Sequence, residues 1–120
     1  MKYSVVCIIF LLTVSLKTEK KYFETGKACF YSSKFNGRKT SSGEVFSQEN
    51  LTAAHKTLTL GTFVKVTNLA NDSSIIVKVN DRLNKSSGHV IDLSLKAANH
   101  LNFVRNGSAN VKVELVSNSN

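Results

Sequence analysis

Apolar and polar residues alternate with a period of two along several stretches of this chain, and that period predicts strands rather than helices. In residues 63–67 (Phe-Val-Lys-Val-Thr), Val64 and Val66 share one face while Phe63, Lys65 and Thr67 share the other. Residues 75–79 (Ile-Ile-Val-Lys-Val) answer across the polar connector 68–74 with Ile75, Val77 and Val79 on one side, and 111–115 (Val-Lys-Val-Glu-Leu) alternate as a last strand. Residues 27–31 read as a first strand. Only residues 95–101 carry a helical spacing, with Leu95, Ala98 and Leu101 on one face and Ser94 as N-cap, and Ser47 is placed to cap a single helical turn over 47–50. Between the first strand and Gly43 lies a long loop containing the turn dipeptide Asn36-Gly37. One echo recurs: 61–66 resembles 107–113 with one residue inserted, as two similar half-barrels would produce.

The same parity places Asp81 on the side of Val79, where partial burial raises a carboxyl pKa; a bulge before it would reverse that orientation.

Length and composition sharpen the picture. A chain of 120 residues with 42% hydrophobic and 20% charged residues suits one globular domain. Residues 4–16 form a nearly unbroken apolar run after Lys2, too short to span a bilayer, so residues 1–15 are expected to be a signal peptide with no stable membrane anchor. Residues 16–25 read as a linker, 26–116 as the domain and 117–120 as a frayed tail. Cleavage leaves Cys29 as the one cysteine, read as a small buried hydrophobe. The net charge of +8 falls to +7 without Lys2; in an exported protein it points to anionic wall polymers or a membrane surface rather than nucleic acid. His89, His100 and the carboxylates share no ligand spacing on one element, so no metal or cofactor is expected.

Specific motifs then appear in order: Gly26-Lys-Ala-Cys-Phe-Tyr31, Ser42-Gly43-Glu44, Leu51-Thr-Ala-Ala-His55, Asn80-Asp81-Arg82 and Ile91-Asp92-Leu-Ser94. Together they resemble the rare lipoprotein A family over about residues 26–116. The resemblance implies a mainly β fold, a six-stranded double-psi β-barrel with one or two short helices, exported to the periplasm or cell wall. It further implies a monomeric lytic transglycosylase acting on peptidoglycan glycan strands stripped of stem peptides and leaving 1,6-anhydro-muramyl ends. Larger members carry a further glycan-binding repeat domain, which this chain is expected to lack.

Carried over by motif, the catalytic set is Asp81 as acid and base, with His55 and Glu44 supporting it. Tyr31, Arg38, Asn80, Arg82 and Asp92 are the expected substrate-binding residues, Asp92 by resemblance to the glycan grooves of expansins and some endoglucanases. The chain departs from the family in carrying Leu83-Asn84 where Gly-Pro usually follows Asn-Asp-Arg, and Cys29 where Ser is usual. The second reading is a non-catalytic, expansin-like module that binds or loosens the wall through the same groove.

Overall fold

The computed structural model describes residues 22–116; the expected signal peptide and tail lie outside them. Six strands, β1 (Phe23–Phe30), β2 (Thr52–His55), β3 (Phe63–Asn68), β4 (Ser74–Arg82), β5 (Ile91–Leu93) and β6 (Ala109–Leu115), close into a barrel in the order β1-β5-β2-β4-β3-β6. The pairs β1·β5 and β2·β4 are parallel and the other four antiparallel. Exchanging β1, β2 and β3 for β4, β5 and β6 leaves this order unchanged, so the barrel has a pseudo-two-fold axis. The echoed segments form β3 and β6, which pair with each other across that axis, Val66 opposite Val113.

Alternation fills the barrel as the sequence expects. Val64, Val66, Val77, Val79, Val111 and Val113 point inward with Ala28, Ala53, Ile91 and Leu93. Phe63, Lys65 and Ile76 face outward. Helix α1 (Leu95–His100) starts at Ser94, whose hydroxyl accepts the Ala97 N–H, and with Leu101 and Phe103 it plugs one end of the core. Among the described residues no helix is long and apolar enough to cross a membrane.

Three local expectations change. β1 begins at Phe23, so residues 23–25 pair with β6. Ser47–Asn50 is a hydrogen-bonded turn, with its Ser47 hydroxyl accepting the Glu49 N–H, rather than a helical turn. The ladder between β2 and β4 slips between Ala53 and Ala54, which face Val79 and Asp81; Asn80 is the extra residue of a bulge.

The loop between β1 and β2 is ordered over the outside of the barrel. Its arm turns at Thr40–Gly43, where the Gly43 N–H reaches the Thr40 carbonyl at φ +89°, a left-handed backbone that favours glycine. Beneath the arm Tyr31, Phe46, Ala54 and Leu83 form a second buried cluster, with Phe35 packed against it. Leu83, in place of the usual glycine, therefore adds apolar contact under the arm. Asn84 stands where proline is usual, and its side chain accepts the Ser86 N–H at 3.1 Å, which turns the chain without the ring.

Candidate functional site

The bulge at Asn80 decides where the chemistry lies. It turns Asp81 from the barrel interior to the outer face, which overturns the inward orientation expected from strand parity. Cys29 then pairs with Asp92, Asp92 with Ala54, and Ala54 with Asp81, a single outward row across β1, β5, β2 and β4. Because Ala54 has only a methyl group, the two carboxylates stand on either side of a shallow floor, their Cα atoms two strand spacings, about 10 Å, apart. These residues line an open cleft of about 330 Å³ with Tyr31, Phe35, Arg82 and His89.

Asp81 is held by four donors. Tyr31 Oη donates to Oδ2 at 2.6 Å; the Ser41 N–H and hydroxyl donate to Oδ1 at 2.9 and 2.8 Å, and the Arg82 N–H at 2.9 Å. Burial pushes its pKa upward, but the hydrogen bonds from Tyr31, Ser41 and Arg82 outweigh it and leave the carboxyl below its ordinary value. The free cleft therefore holds Asp81 ionised at neutral pH, the opposite of the expected rise.

Asp92 differs. Burial raises its pKa first of all; His89 opposes this, and the Asp81 charge adds to it. His89 Nε2 lies 2.6 Å from Asp92 Oδ1, yet that oxygen is buried without an aligned hydrogen bond. The contact is electrostatic, with the N–H direction poorly matched to the oxygen.

Tyr31 faces the cleft, but not as an open stacking platform. It is only 9% exposed, its ring stacks on Phe46 at 4.1 Å between centroids, and Phe35 meets it edge-on at 5.8 Å. Burial, then its bond to Asp81, pushes its phenol pKa up, so it stays a donor. The Arg38 guanidinium sits over the outer Phe35 ring at 5.3 Å.

The remaining expected residues lie elsewhere. His55 is 2% exposed, on the inner side of β2. Its Nδ1 accepts the Thr57 and Leu58 N–H groups, each at 3.1 Å, so Nε2 carries the proton and donates it to Glu24. The structure does not bring it to Asp81; its side chain is joined to Glu24 and the turn after β2 instead. Nor does Glu44 orient His55; it pairs with Lys78 at 2.7 Å, and Lys78, assisted by Ser42 and Asn80, holds its carboxyl below the ordinary range. Asn80 is buried in the bulge with its carbonyl accepting the Ser42 N–H, which pins the arm's tip to β4. Arg82 spends its guanidinium on the carbonyls of His55 at 2.9 Å and Leu58 at 2.6 Å, bracing the turn after β2.

Two participants escape sequence reasoning. Ser41 precedes a motif that was noticed, but its bond to Asp81 spans 40 residues and carries no local signal. Cys29 is not a core residue: it lies half-buried in the cleft wall, its thiol pKa raised by burial and by Asp92 against the opposing Lys27.

A closed six-stranded mixed barrel with parallel pairs related by a pseudo-two-fold, bearing an acidic cleft on its outer face, defines a double-psi β-barrel. The chain belongs to the lytic transglycolase family, whose model matches residues 23–113. It is similar to the endolytic peptidoglycan transglycosylase RlpA of Vibrio cholerae serotype O1, 45% identical over 102 residues, covering 85% of this chain and 39% of that one. The protein of the same name from Pseudomonas aeruginosa is 48% identical over 95 residues, covering 79% and 28%. The chain thus spans well under half the length of these relatives. Among solved structures, a Streptomyces papain inhibitor (TM-score 0.65, 22% identity, 80% of this chain and 96% of that one) and an expansin of Clavibacter michiganensis (0.64, 20%, 82% and 52%) share the fold.

Proposed function

We propose that this chain is an exported lytic transglycosylase that cleaves peptidoglycan glycan strands, in the periplasm or cell wall, with Asp81 as its catalytic carboxylate. The observation that carries the reading is the fixed presentation of Asp81 by Tyr31, Ser41 and Arg82 at the edge of an open acidic floor. The names of the relatives, endolytic peptidoglycan transglycosylases, support the substrate and the reaction.

In the reaction, Asp81 gives a proton to the glycosidic oxygen as the anomeric carbon gains positive charge, and then takes the proton of the sugar's own 6-hydroxyl as that oxygen closes on the anomeric carbon. The nucleophile is already attached, so no positioned water or second nucleophile is needed. Asp81 is ionised in the free cleft, and a bound sugar supplies what the acid role requires: it displaces water and strengthens the burial that already pushes the carboxyl upward. Asp92 lines the same floor with its side chain partly exposed, which places its carboxylate beside a bound sugar as a hydroxyl acceptor. The preference for strands without stem peptides is what the family resemblance implies.

The ionised state of Asp81 also favours the second reading, an expansin-like module that binds glycan without cleaving it. Incubation of the purified chain and its Asp81→Asn form with stripped glycan strands separates the two. Anhydro-ended fragments from the native chain, absent with Asp81→Asn, support cleavage; glycan binding with no such fragments from either sinks it.

A further inference from the structure

The cleft wall carries a second group of side chains beside the catalytic carboxylate, of which the proposed cleavage draws only on Asp92. Cys29 on β1, Asp92 on β5 and His89 in the segment leading into β5 place Sγ, a carboxylate oxygen and a ring nitrogen all within 4.8 Å of one another. The barrel itself builds this arrangement. Cys29 and Asp92 are direct partners in the parallel β1·β5 ladder and so project from the same face, and His89, three residues before Asp92, folds back over both. The ligands come from two places in the chain, Cys29 and the His89–Asp92 pair, which meet only when β1 and β5 pair.

We propose that Cys29, His89 and Asp92 form a binding site for a borderline divalent cation of the Zn²⁺ class, with its fourth position open to the cleft. This departs from the expectation of no metal. Three observations carry it. The donor set of one thiolate, one imidazole and one carboxylate is the mixed S, N, O set that suits zinc and disfavours Mg²⁺ and Ca²⁺, which take oxygen ligands. Asp92 Oδ1 is buried without an aligned donor, although His89 Nε2 sits 2.6 Å away. A cation between them would satisfy both atoms where a proton is poorly aimed. Finally, the Ser87 hydroxyl lies 2.9 Å from His89 Nδ1 and 3.3 Å from Nε2, a contact that holds the ring beside Asp92.

The geometry needs little change. Bonds of about 2.0–2.3 Å in a tetrahedron set ligand atoms roughly 3.3–3.6 Å apart, so the His89–Asp92 contact of 2.6 Å opens by roughly 1 Å, and the thiol already lies within 4.8 Å of both. Binding deprotonates Cys29: one Zn²⁺ enters, one proton leaves to solvent, and thiolate plus carboxylate neutralise the ion. The fourth position is left to water, over the floor between Ala54 and Asp81.

The site does not rest on glycan cleavage, and its test needs no substrate. The chain is stripped with a chelator and titrated with Co²⁺, then with Zn²⁺. Expected are the visible bands of tetrahedral cobalt together with a near-ultraviolet thiolate-to-cobalt charge-transfer band, both abolished by Zn²⁺. The band should persist in Cys7→Ser and vanish in Cys29→Ser, whose far-ultraviolet circular dichroism in chelator should match the native chain. His89→Gln and Asp92→Asn should each weaken Zn²⁺ binding by roughly tenfold or more. Zinc at a hundred times its dissociation constant should raise the native Tm by roughly 11–22 °C. A native chain with no charge-transfer band, or a band that survives Cys29→Ser, overturns the assignment. Unaltered Tm in saturating zinc does so as well.

Discussion

Replacing Tyr31 by Phe removes a single hydroxyl and tests whether Asp81 is held as an ion. The ring keeps its stack on Phe46 and its edge contact with Phe35, so packing under the arm is preserved. What is lost is the 2.6 Å bond to Asp81 Oδ2. A hydrogen bond to a charged group contributes about 1.5–3 kcal/mol, and Asp81 is partly open to water, so the lower end applies and about 1.5 kcal/mol is expected at pH 7. For a domain of this size that lowers Tm by roughly 6–12 °C. The sign of the pH effect follows from the depressed pKa. Asp81 stabilises the fold above its unfolded value, near 3.9, and that contribution disappears as pH falls through the lowered folded value. Thermal melts of both proteins from pH 7 to about pH 2 should therefore converge at the acid end, with less than half the neutral difference remaining. In an Asp81→Ala background the Tyr31→Phe change should cost almost nothing. A gap in Tm that persists unchanged at low pH, or in the Asp81→Ala background, would refute the charge-assisted bond and assign the effect to packing.

His55→Ala should act on stability. It leaves the Thr57 and Leu58 N–H groups without their acceptor, at a cost of about 2–4 kcal/mol, measurable by urea unfolding; an unchanged midpoint with lost cleavage would restore a catalytic role. Leu83→Ala opens a gap beneath the arm and should cost about 2 kcal/mol, the low end for a leucine because its cluster is small, while Leu83→Gly, the usual family residue, should cost more. If a bound glycan raises the Asp81 pKa, the limb of kcat should fall at higher pH than that of kcat/KM, since the two report the bound and free states; coincident limbs would count against the acid role.

Much of the barrel was legible because each long strand has one wet face and one dry face. The alternation in 63–67, 75–79 and 111–115 was enough to place Val64, Val66, Val77, Val79, Val111 and Val113 inside. Ser94 announced the helix for an equally local reason, a hydroxyl before a helical spacing. The site was legible only in part. The motif drew attention to Asp81 and Asp92, but the orientation of Asp81 depends on the bulge at Asn80, and a bulge is a property of two paired strands rather than of one. His55 misled for a related reason: all four residues of β2 are buried, two under the loop arm and two within the barrel, so its burial has no period. Ser41 and Cys29 reach their partners across the fold, and no local spacing encodes such meetings.

The pseudo-two-fold has a consequence for how such a cleft could arise. The axis passes between Ala54 and Asp92, which are direct partners in the β2·β5 pair, and exchanging the halves carries Asp81 onto the position of Cys29. Two identical half-length peptides assembling into this barrel would present the same side chain at both ends of the row, and any acid would face its own copy. Fusion of the halves into one gene removes that constraint. One copy of the position then keeps the carboxylate, and the other is free to diverge, here to a thiol. The asymmetry of the cleft is thus a property that duplication makes possible and that a symmetric dimer of half-barrels cannot reach by point mutation.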